Sequence, residues 1–379
     1  MVYERYSDRI CSKLENLNRI YSQMMYEKVL SLQNVKGYET KDHLRTPPAD
    51  RLIDIESGHK WGGEYSNLWL ECSFTVPEEL AGKALYIVPH TDAYETLLFI
   101  NGIPDGIFNS KGDYMGIMHS AQLLTANASA GEKYDIALEC YAHHFVIDAG
   151  PYAGYGAETP KGGSFEKTYS SIDICVLNET VHKFVFDLDA VLQMAKHLKK
   201  DNFLKAKAQD AVEKVFANVI QYPVLATPED IENSLKVCLG YLAPCLEKSS
   251  SDKSRGEIAM IGHSHMDTAW LWPVSETIRK CARTYANVCK LMEQYPDYMF
   301  VQSSALHGDW MRRYYPAVFE KIKKYVAEGR YEPNGGVWVE CDCNITSGEL
   351  MARQFMYGQH FTREQFGYTS DSFWLPDTF

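Results

Sequence analysis

The stretch EIAMIGHSHMDTAWLWP, Glu257 to Pro273, sets a short apolar run directly before two histidines, an aspartate and two tryptophans. The run EIAMIG reads as a buried parallel strand. Pro273 then opens a helix with Val274, Ile278, Cys281, Tyr285, Val288 and Met292 on one side. The alternation continues downstream. YMFVQSSA is a second strand, PAVFEKIKKYVAEG a helix closed by Gly329, and GGVWVE a third strand. Thr346-Ser347-Gly348-Glu349 is a capping box that opens another helix, and DSFWLPD is a fourth strand ending in an acid. Strand–helix repetition predicts a parallel sheet, open or closed into a barrel. In both forms chemistry gathers at the C-terminal ends of the strands.

Upstream the period changes. Residues 3–34 read as a helix, with Ile10, Leu14, Leu17, Tyr21 and Met24 recurring at three- and four-residue steps. From about 50 to 180 the pattern is that of short strands. In LWLECSFTV, Leu68, Leu70, Cys72, Phe74 and Val76 alternate with Trp69, Glu71, Ser73 and Thr75, which predicts a half-buried strand. Asn101-Gly102 follows an apolar run and signals a hairpin, because both residues tolerate positive φ. YDIALECYA and SSIDICVLN also alternate, so an antiparallel sandwich is expected. Helical patterning returns near 186, and Thr227-Pro228-Glu229-Asp230 starts a helix with Ile231, Leu235, Cys238 and Leu242 on one face. The Ser-rich EKSSSDKSRG reads as a linker. The expected organisation is an N-terminal helical segment (1–49), a β-sandwich (50–185), a helical connector (186–247), a linker (248–256) and the first part of a parallel β/α barrel (257–379).

The chain has 379 residues, a net charge of −12 and 45% apolar residues, enough for a sizeable core in two or three domains. An acidic balance argues against nucleic acid or an anionic membrane as partner. The start, MVYERYSDRICSKLENL, is charged and does not read as a signal peptide, and no run of 18 apolar residues occurs. The ten cysteines form no C-x-x-C pair and read as reduced thiols of a cytoplasmic protein. Cys341 and Cys343 are the one close pair and read as packing residues.

His263, His265, Asp267 and Trp270 follow the first barrel strand. Glu340, Asp342 and Asn344 follow the third, and Asp377 the fourth. Three strand ends therefore deliver polar groups to one face. In an extended segment residues i and i+2 point the same way, so His263 with His265, or His265 with Asp267, is able to share a direction. One imidazole with carboxylates suits zinc or a similar divalent ion at a site with open positions. Trp270 and Trp272 either fill the barrel mouth or stack on a sugar. His143 and His144 in YAHHF suggest no role beyond surface or packing.

The blocks GHSHMDTAWLWP, ETIRKCART, GGVWVECDCNITSGE with RQF, and WLPDTF together resemble the family 38 α-mannosidases, most closely the cytosolic, vacuolar and bacterial branch. The resemblance is specific over about 257–379 and looser upstream. It implies a retaining, metal-dependent α-mannosidase that removes terminal α-mannose from oligosaccharides. It implies His265, Asp267 and Asp377 as metal ligands, Asp377 also as the nucleophile that carries a covalent mannosyl group, and Trp270 as a substrate-binding residue. His263 matches the motif without being a ligand. The implied cofactor is one divalent ion, zinc or alternatively cobalt, and the chain is compatible with a homo-oligomer. Family members are longer, and their last metal ligand, a histidine, and their general acid lie downstream of the motif that ends here. The chain by itself is therefore expected to be an inactive fragment that binds metal weakly.

Two other readings fit part of the pattern. An amidohydrolase-like barrel enzyme would use both His263 and His265 on metal and would not need Asp377. A non-catalytic carbohydrate-binding protein would use the β-rich block 50–180.

Overall fold

The apolar spacing of the N-terminal segment does produce a helix, α1 (Val2–Ser22), but it ends well short of residue 34. From Tyr26 the chain is extended, because Leu30, Leu32 and Val35 pack against the sandwich core rather than along a helix face. The computed structural model describes residues 2–109, 119–144, 165–247, 258–270 and 272–377. The expected linker 248–256 lies outside the described residues.

Among the described residues, twelve strands follow α1 before the next α-helix: β1 (Tyr26–Ser31), β2 (Lys36–Thr40), β3 (Ile53–Asp54), β4 (Lys60–Gly62), β5 (Asn67–Thr75), β6 (Leu85–His90), β7 (Glu95–Ile100), β8 (Ile103–Asn109), β9 (Gln122–Thr125), β10 (Lys133–Tyr141), β11 (Glu166–Thr168) and β12 (Ser171–Leu177). They form a four-stranded sheet, β1-β12-β6-β9, a six-stranded sheet, β3-β2-β5-β10-β7-β8, and a small β11-β4 ribbon, all antiparallel. Asn101 and Gly102 take φ of 52° and 78° and turn β7 into β8, as the sequence predicts. The facing apolar sides, with Leu70, Leu98 and Leu138 from one sheet and Ile87, Ile172 and Ile174 from the other, close the sandwich core.

The outer side of the six-stranded sheet is not the solvated face that alternation implies. Trp69, Leu97 and Phe99 point outward yet are buried, because the C-terminal β/α unit covers them. That burial removes apolar surface from water on both faces of β5 and β7.

Helices α2 (Glu179–His197), α3 (Phe203–Asn218) and α4 (Pro228–Leu246) pack with α1 around Leu14, Tyr21, Phe184, Leu188, Val212 and Leu235. The helical region thus starts at Glu179, inside the stretch expected as sandwich, where Asn178 caps α2 by accepting from the Val181 amide. Tyr21 donates to the Ile220 carbonyl at 3.0 Å and ties α1 to the end of α3.

The last unit is β13 (Gly262–His263), α5 (Val274–Gln294), β14 (Phe300–Ser304), α6 (Ala305–Tyr314), α7 (Pro316–Ala327), β15 (Tyr331–Val337) and α8 (Gly348–Phe366). Its strands pair in parallel in the order β13-β14-β15. Three differences from expectation stand out. The first strand is only two residues long, since Ile258 and Met260 are almost fully exposed and lack a covering layer that would reward an extended run. The helix α8 is capped by Ser347, which accepts from the Leu350 amide, one residue later than the expected box. The segment DSFWLPD forms no strand. Gly335 and Gly336, at φ of 90° and 63°, bend the end of β15. Side-chain contacts hold the segment there instead, with Gln359 bonded to both the amide and the carbonyl of Ser370. The result is a mixed α and β protein with antiparallel sheets and a three-stranded parallel unit.

Candidate metal and catalytic site

The loop after β13 runs along the C-terminal end of the parallel sheet, where strand ends converge. His265 and Asp267 lie on it, with Nε2 of His265 3.6 Å from Oδ1 of Asp267. Asp377 arrives from the bent C-terminal segment without needing a strand, and its Oδ2 lies 3.8 Å from the same nitrogen. One donor atom from each of these three residues lies within 4.8 Å of the others. Two donors bound about 2.1 Å from one ion are at most about 4.2 Å apart, so the two separations from His265 suit a shared divalent cation. An imidazole nitrogen between two carboxylates is also the donor chemistry such a cation takes. Asp377 keeps 58% of its side chain exposed, which leaves it open to a ligand approaching from solvent.

The other imidazole nitrogen explains why Nε2 faces the carboxylates. Nδ1 of His265 lies 2.5 Å from Oε2 of Glu340, just after β15. A carboxylate only accepts, so Nδ1 carries the proton and, in the neutral ring, Nε2 offers its lone pair to the cluster. Ser303, at the end of β14, donates to the second oxygen of Glu340 and fixes that carboxylate. Glu340 is nearly buried at 9% exposure. Sequence reading placed it at a strand end but assigned it nothing. Its signal was its position two residues before Asp342 on the same loop as the matching motif.

His263 does not join the cluster. Its Nε2 sits 3.4 Å from the Ser303 hydroxyl and its ring meets Trp374, and partial burial pushes its pKa down. The chain His263–Ser303–Glu340–His265 makes it part of the scaffold behind the cluster. Of the double-histidine pattern, then, only His265 faces Asp267 and Asp377. Asp342 turns away as well, accepting from the amides of Asn344 and Ile345 in its own turn. The Cys341 thiol contacts the Met351 sulfur at 3.6 Å, while Cys343 is exposed.

Trp270 is 52% exposed and packs edge-on against Trp272, with centroids 5.4 Å apart. Beneath the loop, the Thr268 hydroxyl lies 3.3 Å from Nε2 of His307. His307 is stacked on Trp310, and complete burial holds its pKa down at about 3, so it stays neutral.

Residues 255–379 match the N-terminal domain of the family 38 glycosyl hydrolases. Over 327 residues the chain is 31% identical to "Alpha-mannosidase 2C1" of Homo sapiens, covering 85% of this chain and 29% of that protein. It is 27% identical over 380 residues to "Alpha-mannosidase G" of Dictyostelium discoideum, covering 94% of this chain and 32% of that one. Over 120 residues it is 47% identical to the "Alpha-mannosidase" of Saccharomyces cerevisiae, covering 31% of this chain and 11% of that one. The match to glycosyl hydrolase family 38 thus falls on the segment that carries the cluster. It spans less than a third of the length of the human relative. No helix among the described residues is long and apolar enough to cross a membrane.

Proposed function

We propose that this chain contributes the metal-binding and nucleophilic half of a retaining α-mannosidase site that removes terminal α-mannose from oligosaccharides. The observation that carries the reading is the convergence of His265, Asp267 and Asp377 at the end of a parallel sheet in a family 38 segment. Zinc is the ion proposed, with cobalt able to replace it, since one nitrogen with carboxylate oxygens suits either. Such an ion, when bound, supplies positive charge that favours ionised carboxylates and ligates sugar hydroxyls.

The residues themselves would act as follows. Asp377, open to solvent on one side, would attack the anomeric carbon as the glycosidic C–O bond breaks and a general acid supplied elsewhere in the native protein protonates the departing oxygen; the mannosyl group would stay on its carboxylate until water, giving a proton back to that acid's conjugate base, releases it. His265, fixed by Glu340, orients the carboxylates toward the sugar. Trp270 offers an exposed ring face to the apolar side of the mannose. The remainder of a closed barrel around this three-stranded sheet is part of the same proposal. Cytoplasmic residence also belongs to it, carried by the resemblance of the motifs alone.

The orientation of His263 toward Ser303 disfavours the amidohydrolase-like alternative, which needs both histidines on metal. The burial of Trp69, Leu97 and Phe99 beneath the parallel unit disfavours a free sugar-binding sandwich on that face.

The test is hydrolysis of an aryl α-mannoside by the native protein that carries this sequence, followed before chelation, after chelation and after zinc or cobalt is restored. Activity that disappears and returns supports the proposal. Activity indifferent to chelator removes the metal from it, and no α-mannosidase activity under any metal removes the function.

A further inference from the structure

The motif turn that carries Asp267 and Trp270 is held from an unexpected side. Thr277, in the first turn of α5, accepts a hydrogen bond from the Trp272 indole at 3.0 Å and donates to the Asp267 carbonyl at 3.3 Å. The Trp270 amide donates to the Trp272 carbonyl at 3.3 Å. Trp272 is therefore the latch of the turn, linked through the Thr277 hydroxyl to the ligand's own backbone.

The latch rests on the β-sandwich. The ring of His144 lies 6.0 Å from that of Trp272, inclined at 59°. His144 is itself gripped. It stacks parallel on Tyr65 at 4.8 Å, and its Nδ1 is hydrogen-bonded to the Tyr141 hydroxyl at the end of β10. Tyr141 lies beneath the Arg283 guanidinium of α5, 5.2 Å from its ring centroid. Arg283 in turn pairs with Glu95 of β7 at 2.8 Å and with Glu276 of α5. His144, Tyr141 and Arg283 are all buried. Buried rings and ion pairs in a packed interior sit in fixed arrangements, so they transmit position rather than yield.

We infer that the sandwich positions the metal-binding turn, with His144 as a positioning residue that acts through Trp272 and Thr277 on Asp267. This gives the YAHHF segment a role that neither its pattern nor the family match assigns. The inference rests on the proposed metal site for its consequence, but the latch itself is independent of metal.

The test compares the native protein that carries this sequence with its His144→Ala, Trp272→Phe and Thr277→Val variants. Trp272→Phe keeps a ring and loses the N–H. Thr277→Val keeps the shape and loses only the hydroxyl. Amide hydrogen exchange at residues 266–270 reads the latch, with α2–α4 as internal reference, and calorimetric zinc titration reads the site. The expected result is exchange at 266–270 at least about tenfold faster in all three variants, with the helical bundle unchanged. Zinc affinity is expected to fall about tenfold or more, in the range typical of lost outer contacts. The Asp267→Asn variant separates the two ideas. If it abolishes zinc binding while the three latch variants leave both affinity and exchange as in the parent, the site reading stands and this inference is overturned. If the parent binds no zinc, the site reading fails, and exchange at 266–270 alone decides the latch. Should His144→Ala unfold the bundle as well, Thr277→Val, which leaves the interface intact, carries the decision.

Discussion

Replacing Glu340 by glutamine changes one charge and little volume, and the structure says how much that costs. Glu340 accepts from Nδ1 of His265 at 2.5 Å and is nearly buried, so solvent screens the interaction weakly. A hydrogen bond to a charged partner contributes about 1.5–3 kcal/mol. Outer partners of a metal-bound histidine typically govern about 10–100-fold in metal affinity, which at 1.4 kcal/mol per decade is the same range. Glutamine offers a neutral carbonyl to Nδ1, so part of the bond survives and the expected loss is about tenfold. Glu340→Ala removes it entirely and is expected near the upper end. Zinc or cobalt titration of the chain by calorimetry measures both. A companion Ser303→Ala, which removes only the hydroxyl bonded to Glu340, is expected to lose less than either. Affinity unchanged within twofold in both Glu340 variants, with His265→Ala still destroying binding, would refute the argument that Glu340 sets the orientation of the imidazole.

Other outcomes follow from the same geometry. Asp377→Asn in the native protein is expected to lower α-mannoside turnover by more than about 10³-fold with folding intact, and near-parent turnover would remove it as nucleophile. Arg283 is buried between Glu95 and Glu276, so Arg283→Met strands carboxylates in the interior and should cost about 3 kcal/mol in urea unfolding; a cost below about 1 kcal/mol would mean the network is dispensable. Burial lowers His43 to about 4 and His307 to about 3, against an ordinary 6.5. Their contribution to stability is therefore full above pH 6.5 and is lost as pH falls toward 4, because the unfolded state takes up protons there that the folded state refuses. Glu139, raised to about 7 by burial, acts oppositely, weakening the fold as pH climbs from 4.5 to 7. Denaturation at a series of pH values should show a steeper acid loss in the parent than in His43→Gln, and equal slopes would contradict the assignment.

Much of this fold is legible where one rule dominates locally. Asn101-Gly102 fixes a hairpin through φ alone, and the apolar face of α5 runs as its spacing predicts, behind Pro273. Errors arise where tertiary packing overrides period. The expected helix runs to residue 34, but Leu30 and Leu32 lie two apart, a strand spacing, and pack on the sandwich. Trp69 alternates as a surface residue and becomes interior because another unit covers it. The expected fourth strand is held instead by side-chain contacts such as those of Gln359 with Ser370, which a count of apolar residues does not reveal. At the site, the motif residues His265, Asp267 and Asp377 do converge. Glu340 and His144 are visible in the sequence without a role, because their partners lie 75 residues away or in the other unit. The acids Glu95 and Glu139 on sandwich strands, with Arg279 and Arg283 in the helix after the motif, were the available hint that the two units dock.

In the proposed site His265, Asp267 and Asp377 together hold one divalent ion. Equilibrium dialysis of zinc is run against the native protein that carries this sequence and against its His265→Ala, Asp267→Asn and Asp377→Asn variants. One ion per parent chain is expected, with loss of that ion in each single variant. No ion in the parent, or an ion retained by all three variants, would contradict the proposed site.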